Sequence, residues 1–192
     1  SKEKRELTKC ESEMINSFYP AWLIRDLRSD HAGEVGAVWI YRGILATSNN
    51  NLIRDFAQKH LETEQSHLRE IEKLLPPHQQ SRLLLFWKAA GFFTGLIPTL
   101  FSTDSTLYTI ASVETFVDQH YRDQLTRLKP LTHFSKKLSD VYSTLLKCQS
   151  DEIKHRDEAA EQTKAVRGIF TSAWCSLVSF GSLAAVCLAR RF

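Results

Sequence analysis

Apolar residues recur at three- and four-residue intervals along almost the whole chain, and no stretch alternates apolar with polar residues long enough to make a strand. That period belongs to helices with one buried face, so the expected fold class is all-α. Punctuation divides the chain into six helices. The first runs from about Trp22 to Thr47 and stops at the turn-rich Ser48-Asn49-Asn50-Asn51. The second covers roughly Leu52 to Leu75 and is closed by Pro76-Pro77, because proline lacks the N–H that a helix interior needs. A third spans about 81–101, with Pro98 expected to kink or end it. The fourth starts near Ser102-Thr103-Asp104, good N-cap residues, and ends before Pro130. The fifth extends from about Leu131 to Lys164 and the sixth from Gly168 to Arg191. Residues 1–21 read as an N-terminal tail and 22–192 as a single domain, since 192 residues suffice for one sizeable core.

Four of the apolar stripes carry a carboxylate where the pattern calls for an apolar side chain. Glu34 stands in line with Val38, Tyr41 and Leu45, and Glu114 with Ile110, Val117, Tyr121 and Leu125. Glu64 falls on the stripe of Leu61, His67, Ile71 and Leu74, and Glu152 on that of Leu145, Cys148, His155 and Ala159. Burying four unpaired carboxylates costs many kcal/mol, and no matching set of Lys or Arg lies on these stripes. Partial exposure, or protonation of one or two of them, is the plain alternative.

Two of the four begin a Glu-x-x-His motif, Glu64-Gln65-Ser66-His67 and Glu152-Ile153-Lys154-His155. On a helix this spacing aims a carboxylate and an imidazole from neighbouring turns at a common point. Two such helices and two single-Glu helices supply Glu34, Glu64, His67, Glu114, Glu152 and His155, the donor set of a carboxylate-bridged di-iron or di-manganese centre in a four-helix bundle. Two divalent ions balance four carboxylates and remove the burial problem. The arrangement also repeats: Tyr41 follows Glu34, and Tyr121 follows Glu114, by seven residues in both cases, and each half then supplies its Glu-x-x-His. Each half thus reads as a hairpin, the two related by a pseudo-twofold axis. Tyr41 and Tyr121 are candidates for groups just outside the ligands. So is Asp151, a partner for a ligand His of the facing helix, because metal-bound imidazoles usually donate their second N–H.

Helices three and six carry no ligand and need another purpose. Leu83–Phe101 contains one charge, Lys88, and Ile169–Leu188 contains none, so each is about long enough to span a bilayer. Pro98 interrupts the first, and Ser172, Ser176, Ser179 and Ser182 form a small polar stripe along the second, which ends in Arg190-Arg191. That combination fits helices lying in a membrane interface. Burial against the bundle, an oligomer contact and a true span are the alternatives. Gly91-Phe92-Phe93-Thr94-Gly95 would let another helix approach closely.

Charge and cysteines alter the picture little. A net charge of +3, spread along the chain, gives no reason to expect nucleic acid and suits an anionic membrane surface. The four cysteines form no C-x-x-C pair, so free thiols in a reduced compartment and no rubredoxin-type iron site are expected. The opening residues mix Lys and Glu and resemble neither a signal nor a transit peptide.

The segment Asp30-His31-Ala32-Gly33-Glu34-Val35-Gly36-Ala37, with both Glu-x-x-His helices, Val113-Glu114 and His120-Tyr121, resembles the demethoxyubiquinone hydroxylase family of ubiquinone biosynthesis. The resemblance extends from about Leu27 to Phe192 and includes an apolar W-x-x-x-G-F segment at Trp87. It implies a ferritin-like bundle with two iron ions on the six residues named above. The activity implied is an O2-dependent monooxygenase that hydroxylates the quinone ring of a demethoxyubiquinone with electrons from NADH. It further implies a polyprenylated quinone substrate, peripheral attachment to the matrix side of the mitochondrial inner membrane or to a bacterial inner membrane, and a lipid-binding companion among the proteins of ubiquinone biosynthesis. A homo-oligomer is compatible with it. Departures from the family pattern are local: Val35 where Tyr is frequent, Gln119-His120 where a His pair is, and Arg156 where a second His follows His155. None removes a ligand; they bear on proton or electron transfer through those positions, among which His120 is a further candidate for a group just outside the ligands. A di-iron quinol oxidase and an iron-sequestering bundle share the donor set and are the runners-up.

Overall fold

The computed structural model describes residues 19–192, so the tail expected before Trp22 lies almost wholly outside the described residues. The described residues form six α-helices: α1 (Ala21–Thr47), α2 (Asn51–Leu74), α3 (Leu84–Phe101), α4 (Thr103–Leu128), α5 (Lys136–Gln162) and α6 (Ile169–Ala189). The all-α class and the element count agree with the sequence; boundaries move by a few residues. The largest shift is at α5, which begins at Lys136 because residues Lys129–Leu131 wind into a short 3-10 turn around Pro130. Asn50 accepts from the N–H groups of Leu52 and Ile53 at the start of α2, and Ser102 from Ser105 at the start of α4. Each cap satisfies backbone donors that the first helical turn leaves without partners. Pro98 sits in the last turn of α3, where its carbonyl accepts from the Ser102 N–H at 3.2 Å, and the helix ends there.

The bundle consists of two hairpins, α1–α2 and α4–α5, facing each other. Its apolar interior is split. One cluster gathers around Tyr41, Ile44, Ile53, Phe56, Leu107 and Ile110, the other around Leu23, Leu27, Ile71, Leu128, Val141 and Leu145. Glu34, Glu64, His67, Glu114, Glu152 and His155 occupy the layer between them, each no more than 4% exposed. Two greasy plugs thus seal a charged midsection from solvent at both ends.

Helix α3 lies outside the bundle along α1. A Cβ added to Gly91 would fall 2.2 Å from the Gly36 carbonyl oxygen, and one on Gly95 only 1.9 Å from that of Ile40. Backbone meets backbone at these points, which only glycine permits. The pairs Gly36–Gly91 and Ile40–Gly95 rise together, so α3 runs parallel to α1. Helix α6 rests on α4 and α1, and its end is tied down by Arg190 Nε, 2.9 Å from the buried Asp26 carboxylate, and by the Arg82 N–H donating to the Phe192 carbonyl.

Both outer helices are long and apolar enough to cross a membrane, with mean hydropathies of 1.4 and 1.7, yet each packs lengthwise on the bundle. Their far sides stay uncovered: Leu85 is 82% exposed, Phe93 54%, Phe170 82% and Phe180 71%. On α6 it is Cys175 and Ala189 that turn fully inward, while the expected serine stripe divides, Ser172 and Ser182 half-buried and Ser176 and Ser179 exposed.

Candidate metal centre

Each bundle helix brings its acidic residues to the same level. Atoms of Glu34, Glu64, His67 and Glu152 lie within 4.8 Å of one another, and so do those of Glu64, Glu114, Glu152 and His155. The two groups share Glu64 and Glu152. That overlap could hold two cations side by side, with the two motif carboxylates common to both groups and one single Glu and one His completing each. All six residues singled out by the stripes are brought together; none is left outside.

The inward atoms are close but do not satisfy one another. His67 Nδ1 lies 3.0 Å from Glu152, and His155 Nδ1 3.0 Å from Glu64, within ion-pair distance. Both nitrogens, together with Glu34 Oε2, Glu64 Oε1 and Glu152 Oε2, are nonetheless buried without a properly aligned hydrogen bond. A hydrogen bond needs the N–H to point along the line between partners. Here the atoms lie at ion-pair distance without that alignment. Orphaned polar atoms in this number are costly in a core and fit a pair of hard cations bound through carboxylate oxygen and imidazole nitrogen.

The electrostatics agree. Burial pushes the carboxyls of Glu34 and Glu114 well above the usual carboxylate range, and the Glu64 and Glu152 carboxylates add to the shift. Burial also acts on Glu64, but its contacts with His155 and His67 win and hold it down at about 2. The imidazoles feel burial as a penalty on their charge, yet Glu152 and Glu64 raise both, His155 to about 9. Without metal the cluster therefore neutralises itself with protons, which incoming cations must displace.

The surrounding groups show how the ligands are held. Tyr41, from the Glu34 helix, donates to Glu114 Oε1 at 3.1 Å, and Tyr121, from the Glu114 helix, donates to Glu34 Oε1 at 2.5 Å. Each half thus steadies the lone carboxylate of the other. The outer Nε2 of His67 lies 3.3 Å from Asp151, which Lys154 holds in turn at 2.7 Å. Arg156 fills its place with an ion pair to Asp118 at 3.0 Å, and Gln149 donates to the same carboxylate, fastening α5 to α4 beside the ligands.

Some groups near the centre were not anticipated. His60 is 1% exposed, with its ring centre 4.1 Å from that of His155, 5.8 Å from that of Tyr41, and Nε2 3.3 Å from Glu158. Its position one turn before Glu64 was the available signal. Asp30 is buried and joined to two residues of α4: its Oδ1 lies 2.9 Å from His120 Nε2, and its Oδ2 accepts from Gln124 at 2.9 Å.

These bridges join α1 to α4 across the space between them. A cavity of about 60 Å³ lies there. Ser29, Asp30, Gly33 and Ala37 line it from α1, Phe116, Val117, His120 and Tyr121 from α4, and Val186 from α6. Its floor is Glu34, Glu64, Glu114 and Glu152.

The family model described as Ubiquinone biosynthesis protein COQ7 matches residues 21–189, all six helices. The chain belongs to the COQ7 family. It is 30% identical to the NADPH-dependent 3-demethoxyubiquinone 3-hydroxylase, mitochondrial, of Dictyostelium discoideum, over 87% of this chain and 76% of that one. It is 26% identical to the protein of the same name from Rattus norvegicus, over 86% and 76% of the two chains. The 3-demethoxyubiquinol 3-hydroxylase of Rhodospirillum rubrum is 34% identical, over 72% and 64%. The family and the enzyme class expected from the sequence, an oxidoreductase of the monooxygenase type, are borne out. NADH was expected as the electron donor; the Dictyostelium discoideum and Rattus norvegicus relatives are named NADPH-dependent.

Proposed function

We propose that this COQ7 protein is a di-iron monooxygenase that hydroxylates the ring of a demethoxyubiquinone, as its quinol, in ubiquinone biosynthesis. The observation that carries the reading is the pair of overlapping donor groups sharing Glu64 and Glu152, in a chain whose relatives are named for this hydroxylation. Glu34, Glu64, His67 and Glu152 would hold one ion, and Glu64, Glu114, Glu152 and His155 the other. When bound, a pair of iron ions supplies O2 binding and two-electron chemistry. Carboxylate oxygens suit it, as hard anionic donors that stabilise the higher oxidation state.

The protein's own groups do the rest. Tyr41 and Tyr121 keep Glu114 and Glu34 turned inward by hydrogen bonds. Asp151 takes the outer N–H of His67 and so fixes which nitrogen faces the ions. The apolar plugs above and below exclude water from the reacting layer. The cavity between α1 and α4, about 60 Å³, would widen to receive the ring, and the uncovered faces of α3 and α6 would hold the protein on the membrane where the polyprenyl tail resides. The setting we propose is the matrix side of the mitochondrial inner membrane, with a lipid-binding companion presenting substrate. Reducing equivalents come from a nicotinamide nucleotide, NADPH or NADH. The chain has no G-x-G-x-x-G loop to bind it in the dinucleotide-fold manner.

The test is direct. Protein purified in detergent and loaded with ferrous iron is given O2, a short-tailed demethoxyubiquinone analogue, and NADPH or NADH in parallel. The reading requires the hydroxylated quinone as product. Oxygen consumed to water with quinol oxidised and no hydroxylation would overturn it in favour of a quinol oxidase.

A further inference from the structure

The cavity wall contains a polar group that metal binding does not use. His120 and Asp30 face each other across the α1–α4 gap, His120 Nε2 lying 2.9 Å from Asp30 Oδ1 and 3.3 Å from Ser29 Oγ. The Asp30 side chain is 0% exposed, and its second oxygen is taken by Gln124, so the carboxylate can be oriented only towards His120. In the tautomer in which Nε2 donates to Asp30, Nδ1 is the acceptor. The ring is stacked on Phe116, 6.4 Å between centres and 8° between planes, which fixes its tilt.

The other polar groups of this wall are committed. Tyr121 donates to Glu34, Ser29 donates to the Asp26 carbonyl, and the four glutamates form the metal cluster. Apart from those glutamates, Nδ1 of His120 is the polar side-chain atom of the cavity wall with no partner among the described residues. A mere tie between α1 and α4 would not need it, since Gln124 already joins Asp30 to α4. The His120 side chain, 13% exposed, lines the cavity together with Ser29 and Asp30 and is the more exposed member of the ion pair.

We propose that the Asp30–His120 pair is the binding site for one ring oxygen of the quinol substrate, with the quinol O–H donating to His120 Nδ1. This rests on the proposed hydroxylation and adds to it the group that orients the ring. Every free C–H of a 1,4-quinol ring is adjacent to one of its two oxygens. Anchoring one oxygen at the cavity wall therefore selects which carbon is turned towards the carboxylate cluster. Asp30 is a positioning residue for His120, and Gln124 for Asp30. The oxidised quinone, which has no O–H to give, is bound less tightly by the same nitrogen.

The experiment measures binding as well as turnover. Iron-loaded protein in detergent is titrated with a short-tailed demethoxyubiquinol analogue and with its di-O-methyl ether, which has no O–H to give, for the wild type, His120→Ala and His120→Gln. The expected result is a loss of about tenfold in quinol affinity for His120→Ala, the size of one hydrogen bond to a desolvated partner. Ether affinity and iron content should be unchanged, and His120→Gln, whose amide retains an acceptor, should recover part of the loss. Comparing the two ligands across the variants isolates the hydrogen bond from any general disturbance, including partial unfolding. An unchanged quinol-to-ether ratio in His120→Ala, with the wild type hydroxylating normally, would overturn the subsite alone. A wild type that neither binds nor hydroxylates the analogue would overturn the quinone reading and the subsite with it.

Discussion

The interior of this protein is its most charged part, and the pair of helices on its outside is its most apolar. Four carboxylates and two imidazoles fill the middle of the bundle, whereas α3 and α6 present Leu85, Phe93, Phe170 and Phe180 outward. Both regions reverse the usual rule that charge faces water and hydrocarbon faces in. The comparison teaches that each surface calls for something other than water, and the proposed function supplies it: cations within, lipid without. A substitution that restores the ordinary polarity in either region should damage function while sparing the fold.

The largest effect is expected at the shared carboxylates. Because Glu64 belongs to both donor groups, Glu64→Ala should remove both ions and lower hydroxylation by at least about a hundredfold, beyond the loss typical of outer-shell partners. Glu34→Ala, which belongs to one group, should leave about one ion per chain, with helical circular dichroism retained in both variants. Equal metal content in the two would break the bridging arrangement. One step outward, Asp151→Ala should weaken metal affinity by about 10–100-fold through the loss of the His67 partner, read by chelator competition. An unchanged affinity would reduce Asp151 to a surface ion-pair residue.

The outer region answers to a smaller perturbation. Replacing Phe93 and Phe180 together by Ser removes two exposed rings, each contributing about 1.5–3 kcal/mol on full burial. Sedimentation with anionic vesicles should show binding reduced by at least about tenfold, with metal content intact. Wild-type protein that ignores vesicles would instead favour a protein partner on this face.

The smallest expected effect concerns protons. In the metal-free protein His155 is raised to about 9, above its ordinary 6.5, despite burial, by Glu152 and Glu64. A raised imidazole contributes stability that is fully present below pH 6.5 and is lost as pH climbs through 9. Metal affinity has the opposite slope, since the imidazole must shed that proton to become a ligand. Thermal midpoints of the metal-free protein should drift down between pH 7 and 9 while chelator-resisted metal binding strengthens. Parallel trends would contradict the proton-for-metal exchange.

Much of this was legible along the chain because helices convert spacing into direction. Glu34, Glu64, Glu114 and Glu152 stood out as carboxylates on apolar stripes, and each Glu-x-x-His brought its imidazole to the same face. Gly91 and Gly95 announced a close helix approach for the same reason, though not that α1 would be the partner. What one helix cannot reveal is its neighbour. The exchange of Tyr41 and Tyr121 between halves joins residues on facing helices, as does the bond from Gln124 to Asp30, and spacing does not encode such pairings. Asp30, His60 and Asp118 look like ordinary polar residues in sequence. Their burial follows only once the gap between α1 and α4 and the crowding around His155 are known.

The central claim is that two cations share Glu64 and Glu152 inside the bundle, and the most direct test is the iron stoichiometry of the reconstituted protein together with its Mössbauer and EPR spectra. The prediction is about two irons per chain, magnetically coupled through the shared carboxylates and EPR-silent when both are ferric. One iron per chain, or two uncoupled ferric signals, would contradict the account.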